Sequence, residues 1–296
     1  MSARSDVLIT AADLAERLDS GAPVTVLDIR WQLDQPDGRE AYRAGHIPGA
    51  VHVDLESELS DHAIAGRGRH PLPSGAGLQA AARRWGVRAG VPIVVYDNWN
   101  RAGSARAWWV LRAAGVTDVR ILDGGLAAWT GIGRDLAQGN ELRAVGDLTV
   151  ASDDLYTGAA ATVTADQAAR LPAEGILIDA RAPERFQGHS EPIDPVAGHI
   201  PGAVNIPSGR LLDERGFFRP ATELDAIFDA AGVRDAGGVG AYCGSGVTAA
   251  VVVAALRIVG VDAALFPGSW SQWSSEPGRP VAAAGPADPI RTSFPD

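Results

Sequence analysis

Only one residue in this 296-residue chain carries nucleophilic sulfur. Cys243 opens the run Cys243-Gly244-Ser245-Gly246-Val247-Thr248. Ala241-Tyr242 before it read as the end of a strand, and the Ala/Val-rich stretch from Ala249 to Val259 reads as a helix. That junction puts the cysteine at the carboxyl end of a strand, where open α/β sheets bind ligands. Gly244 and Gly246 allow the backbone to turn its N–H groups toward one centre, and the following helix adds its positive end. Sulfur held at such a crease is expected as thiolate, the form that attacks electrophiles and other sulfur atoms. The competing role, a small buried hydrophobe, is the usual one for a lone cysteine, but it does not call for a glycine-bearing loop.

Composition narrows the chemistry further. All 26 basic residues are arginine, so Schiff-base catalysis and a Walker-type phosphate loop, which need a lysine amine, are excluded. One cysteine allows neither an internal disulfide nor a multi-cysteine metal site. The net charge of −10 without a basic block argues against nucleic-acid binding. The start of the chain lacks the apolar core of a signal peptide, and no stretch approaches the ~18 apolar residues of a membrane span. A cytoplasmic protein is the expectation, with no membrane partner and no metal or organic cofactor.

The elements that must position Cys243 occur twice. His46-Ile-Pro-Gly-Ala-Val recurs as His199-Ile-Pro-Gly-Ala-Val, and Val26-Leu-Asp-Ile-Arg30 as Leu177-Ile-Asp-Ala-Arg181. Thr10-Ala-Ala-Asp pairs with Thr164-Ala-Asp-Gln, Val95-Tyr96-Asp97 with Ala241-Tyr242-Cys243, and Asp123-Gly-Gly…Trp129 with Pro267-Gly-Ser…Trp273. Five matches in one order mean a duplicated domain. Thr10 and Thr164 sit at helix N-caps, with Asp13 and Gln167 three residues on. Short apolar strands (24–29, 93–96, 119–122, 176–178) alternate with alanine-rich helices (78–85, 104–114, 247–259), which predicts an α/β fold with buried parallel sheets. The expected units are 1–140, 160–280 and a tail at 281–296, with the joint around Gly131 to Gly158. At the cysteine's position the first copy carries Asp97, so one half is expected to react and the other to support it.

With these motifs the chain resembles the tandem-domain rhodaneses, a sulfurtransferase family. The repeated Gly-His-Ile-Pro-Gly-Ala, the Asp-Gly-Gly…Trp and Pro-Gly-Ser-Trp…Trp segments and the single cysteine loop carry the likeness. It implies two rhodanese-like domains, the first silent and the second catalytic. It also implies that Cys243 takes a sulfane sulfur from a small donor, becomes a persulfide cradled by Gly244, Gly246, Val247 and Thr248, and passes it to an external thiol (thioredoxin or a small thiol) or to cyanide. The uncharged Cys-Gly-Ser-Gly-Val-Thr loop is similar to that of the 3-mercaptopyruvate sulfurtransferases. Thiosulfate-using loops carry two cations, so thiosulfate is the alternative donor, and a non-catalytic scaffold the alternative of another class.

Within that subfamily the resemblance assigns Ser245 an assisting role and points to Asp61 and His70 as contributions of the first domain. It assigns Arg185 of Arg185-Phe186 to the donor's carboxylate, which a planar guanidinium grips well. The second carboxylate-binding arginine should follow Glu191-Pro192, but Ile193 stands there. Arg181, Arg101 or Arg106 is then expected to compensate, or the donor to differ. His46, His199, Asp28 and Asp179, present in both copies, are expected to be structural. Trp108, Trp109, Trp129 and Trp273 are expected in domain packing, and Trp270 near the cleft. A cysteine phosphatase would need arginine where Ala249 stands.

Overall fold

The computed structural model describes residues 3–283. Two all-parallel sheets repeat one topology. The first contains β1 (Leu8–Ile9), β2 (Thr25–Asp28), β3 (Val51–His52), β4 (Ile93–Tyr96) and β5 (Val119–Leu122), in the order β1-β5-β4-β2-β3. The second contains β6 (Ile176–Asp179), β7 (Val204–Asn205), β8 (Val239–Tyr242) and β9 (Ala264–Leu265), in the order β7-β6-β8-β9. A parallel bridge from Thr162 to Leu265 stands where β1 pairs with β5 in the first sheet. Every residue of β2, β4 and β8 is buried, as strands covered on both faces require.

Local chemistry explains the elements. The Thr10 hydroxyl accepts from the Asp13 N–H and caps the helix Ala11–Asp19. Thr164 does the same for Ala165–Glu174, and Gln167 closes a full capping box by accepting from the Thr164 N–H. The helices Ala102–Ala113 and Ala249–Ile258 follow β4 and β8 and pack against each other where the halves meet. Both are buried almost all round, which suits their content of alanine and valine. One apolar core runs through both halves and includes Trp108, Trp109 and Cys243. Trp129 and Trp273 sit in two smaller clusters outside it.

The expected joint clasps the first sheet's domain instead of hanging free: Ala137 bridges His46, and the Gly146 N–H donates to the Arg83 carbonyl at 2.8 Å. The start of the expected tail is also anchored, since Ala282 bridges His199 and the Trp273 indole donates to the Pro280 carbonyl. Residues 284–296 lie outside the described part.

Candidate active site

Cys243 follows β8 directly and is 2% exposed, and it lines a cleft of about 540 Å³ between the two halves. Gly244, Ser245 and Thr248 share that lining with Arg69, Arg185 and the exposed Trp99. The loop is clamped from behind by the Pro267–Ser271 segment. The Cys243 N–H donates to the Ser269 hydroxyl at 3.1 Å, and the Trp270 and Ser271 N–H groups donate to the Cys243 and Gly244 carbonyls at 3.0 and 2.8 Å. Gly246 has φ +76°, and a Cβ there would stand 2.3 Å from the Pro267 carbonyl oxygen, so only glycine fits. None of the N–H groups of residues 244–248 donates to a protein oxygen among the described residues. They remain available to an anion at the crease.

Ser245 belongs to a chain of hydrogen bonds that crosses the domain boundary. Its hydroxyl lies 2.7 Å from Nδ1 of His70, and Nε2 of His70 lies 3.1 Å from a Glu56 carboxylate oxygen. Burial dominates at His70 and lowers its pKa against the pull of Glu56, so the ring is neutral at pH 7. At Glu56 burial opposes ionisation, but hydrogen bonds from His70, Trp31 and His62 outweigh it and hold the carboxyl down at about 2. The anionic Glu56 therefore accepts from Nε2–H, which leaves Nδ1 to accept the Ser245 hydroxyl proton. The other expected carboxylate, Asp61, is not in this chain: it accepts from the Ala63 N–H in its own turn.

The arginines separate by what already holds them. Arg185 reaches the cleft, pairing with Glu191 at 2.6 Å and with Asp194 at 3.2 Å. Arg181 is buried in a fork on Asp179 at 2.6 Å, with further bonds to Glu191 and the Gly198 carbonyl. Arg30 repeats that arrangement on Asp28 and the Gly45 carbonyl, so the pair braces both copies of the fold. Arg101 folds back onto Asp97 at 3.0 Å, and Arg106 is fully buried on three backbone carbonyls. Of the three expected to compensate for Ile193, Arg181 lines the cleft but is committed to these partners, and Arg101 and Arg106 do not line it.

A residue absent from the expected set stands there. Arg69, from the first domain, pairs with Asp194 at 2.7 Å and shares that carboxylate with Arg185. A Cβ on Gly244 would lie 3.3 Å from Arg69 and 3.5 Å from Arg185, so both cations flank the residue after Cys243. Arg69 and Glu56 both escape a reading by motif, because only the docking of the two domains brings them to Cys243. The one local signal is that Arg69 precedes His70.

The remaining expectations concern architecture. His46 stacks on Tyr42 and bonds its carbonyl, and His199 does the same with Phe186. Trp270 does not face the cleft: it is fully buried under the Arg181 guanidinium, its indole donating to the Val196 carbonyl. Among the described residues no group of His, Cys, Asp and Glu could hold a metal, and no helix is long and apolar enough to cross a membrane.

The rhodanese-like domain matches residues 10–132 and 164–276. The chain is 61% identical over 282 residues to a putative thiosulfate sulfurtransferase, SseB, of Mycobacterium tuberculosis, covering 95% of this chain and 98% of the relative. It is 44% identical to a probable 3-mercaptopyruvate sulfurtransferase of Pseudomonas aeruginosa, covering 93% and 97%. The crystal structure of SseA from Escherichia coli, a 3-mercaptopyruvate sulfurtransferase, superposes with a TM-score of 0.78 at 36% identity, covering 89% of this chain and 98% of that one. The chain belongs to the rhodanese family of sulfurtransferases, with one cysteine-bearing loop in two rhodanese-like domains.

Proposed function

We propose that the second domain is catalytic, the first silent, and that the favoured donor is 3-mercaptopyruvate. The Cys243 thiolate attacks the donor's sulfur, the carbon–sulfur bond breaks, and its electron pair moves onto the carbon as the enolate of pyruvate. A proton completes pyruvate, and Cys243 is left as a persulfide within the loop Gly244–Thr248. Arg185 and Arg69 hold the donor's carboxylate. Ser245, backed by His70 and Glu56, relays the donor's own thiol proton to the enolate, and the outer sulfur is left as the persulfide anion. An external thiolate or cyanide then attacks the outer sulfur, the sulfur–sulfur bond breaks, and the electrons return to Cys243. With no second cysteine in the chain, this acceptor comes from outside, in the expected cytoplasmic setting a small thiol or thioredoxin.

The observation that carries the donor assignment is the Ser245–His70–Glu56 chain, ending two residues from the nucleophile. A proton carrier has work to do where the leaving fragment is a carbanion-like enolate. Sulfite, which leaves from thiosulfate, is a stable anion that needs none. Thiosulfate remains a second reading for one reason besides the name of the M. tuberculosis relative: two cations beside Gly244 suit a dianion. Comparing kcat/KM for the two donors, with cyanide as acceptor, decides between them. A preference for 3-mercaptopyruvate of about tenfold or more, roughly 1.4 kcal/mol, is expected. A preference for thiosulfate overturns the donor assignment.

A further inference from the structure

Arg106 takes no part in the mechanism above, yet it is the most completely enclosed cation near the cleft. It lies on the helix Ala102–Ala113 with no exposed surface. Its guanidinium donates to the Gly246 carbonyl in the cysteine loop at 3.2 Å and to the Leu59 and His70 carbonyls of the first domain, both at 3.0 Å. Among the described residues its Nε has no partner, and its hydrogen bonds go to these carbonyls and to no carboxylate. In the same molecule the buried Arg30, Arg101 and Arg181 each have an aspartate within 3.0 Å. Burying a charge without an opposite one is costly, so an anion is owed to this site. Besides these carbonyls, the groups that would favour its charged form when ionised are the Tyr156 phenol, Cys243 of the loop that Arg106 holds through Gly246, and Glu56. Tyr156 is neutral near pH 7, since burial raises its pKa, and Glu56 already serves His70, Trp31 and His62.

We propose that Arg106 is a positioning residue whose buried charge is balanced by the anionic sulfur of Cys243, first as thiolate and then as persulfide. Burial pulls the Arg106 pKa down only to about 10, so it stays charged throughout the working pH range. Three bonds to carbonyls of both domains fix that charge under the loop, whereas the cations that line the cleft, Arg69, Arg181 and Arg185, are tied to Asp194, Asp179 and Glu191. The neutral His70, joined to Cys243's loop through Ser245, adds no charge of its own.

This assignment rests on Cys243 being the nucleophile, but its test needs no sulfur donor and so fails or succeeds apart from the donor assignment. Alkylation of Cys243 by iodoacetamide is followed by mass spectrometry from pH 5 to 10 in the full-length parent, Arg106→Met and Arg106→Lys. The midpoint should rise by about one unit or more in Arg106→Met, a tenfold slower reaction below it, and return to within about 0.3 unit of the parent in Arg106→Lys. A merely structural strut would slow both variants without moving the midpoint, and an unmoved midpoint in folded Arg106→Met overturns the proposal. If Arg106→Met does not fold, the thermal stabilities of Cys243→Asp and Cys243→Ser at pH 7 decide. The aspartate, which keeps an anion beside Arg106, should be the more stable, and the reverse order overturns the proposal.

Discussion

Residues 97–101 and 243–248 occupy the same junction in the two sheets, between β4 or β8 and the helix behind it. In the first, the Asp97 carboxylate fills the crease. It accepts from the N–H groups of Trp99, Arg101 and Ser104 and from the Ser104 hydroxyl, at 2.6 to 3.3 Å, and it pairs with Arg101. In the second, the N–H groups after Cys243 have no protein oxygen to serve among the described residues, and the side chain at the crease is the thiol. The first half thus shows what this backbone does: it gathers donors around an anion. There the anion is part of the chain and permanent, and in the second half the place is held by the Cys243 thiol.

The difference extends to the segment behind each loop. Gly125 and Ser269 hold equivalent positions and nearly the same left-handed backbone, at φ +56° and +52°. A Cβ on Gly125 would collide with Arg101 at 1.7 Å, so the folded-back arginine demands glycine. The loop position that matches Arg101 carries Val247, and the Ser269 hydroxyl holds the Cys243 N–H and bonds the Phe266 carbonyl. A serine kept at positive φ is strained, by about 1 kcal/mol, and persists here where it clamps the reactive loop.

The largest effects should separate the two loops by kind. Cys243→Ser is expected to abolish sulfur transfer from either donor while the chain still folds. Asp97→Asn should do the opposite. It leaves Arg101 buried without its counter-charge and should cost about 3–5 kcal/mol in urea unfolding, while the folded fraction keeps measurable turnover. Sulfur transfer surviving in Cys243→Ser would break the contrast at its root.

A smaller effect sharpens the same contrast. Ser269→Gly removes the clamp on the Cys243 N–H but relieves the positive φ. The lost hydrogen bond, worth about 1 kcal/mol, and the relieved strain nearly cancel, so stability should change by less than about 1 kcal/mol. Turnover should nonetheless fall about tenfold, because the nucleophile is less well oriented. Equal activity in Ser269→Gly, measured as kcat, would show that the loop keeps its shape without this bond.

Much of this molecule is legible from its residues because the signals are local. The strands 93–96 and 119–122 appear within the expected bounds, and the cysteine sits at a strand end because apolar run, glycines and helix follow one another directly. The arginines were harder to read. Arg181, Arg101 and Arg106 look free in one dimension, and only the folded chain gives them Asp179, Asp97 and the interdomain carbonyls. Arg69 and Glu56 reach the site through the packing of one domain on the other, a relation that no spacing within either copy records. The family resemblance points to Asp61, but its turn aims it at its own backbone.

That last difference gives the finest prediction, one of pH. The Glu56 carboxyl, normally near 4.5, is held at about 2 in the folded protein by His70, Trp31 and His62 against the opposing effect of burial. A group with a depressed folded pKa stabilises the protein fully above its unfolded value and loses that contribution as pH falls through the folded one. The stability from Glu56 should therefore be complete above pH 4.5 and drain away toward pH 2. In Glu56→Gln that part of the acid limb should be missing, so the urea midpoints of variant and parent should converge between pH 4.5 and 2. Asp61→Asn, whose side chain holds only the Ala63 N–H of its own turn, should leave the acid limb close to the parent's. If Asp61→Asn flattened the limb and Glu56→Gln did not, Glu56 would not be the carboxylate that supports His70, and the bridge from the first domain to Ser245 would need another foot.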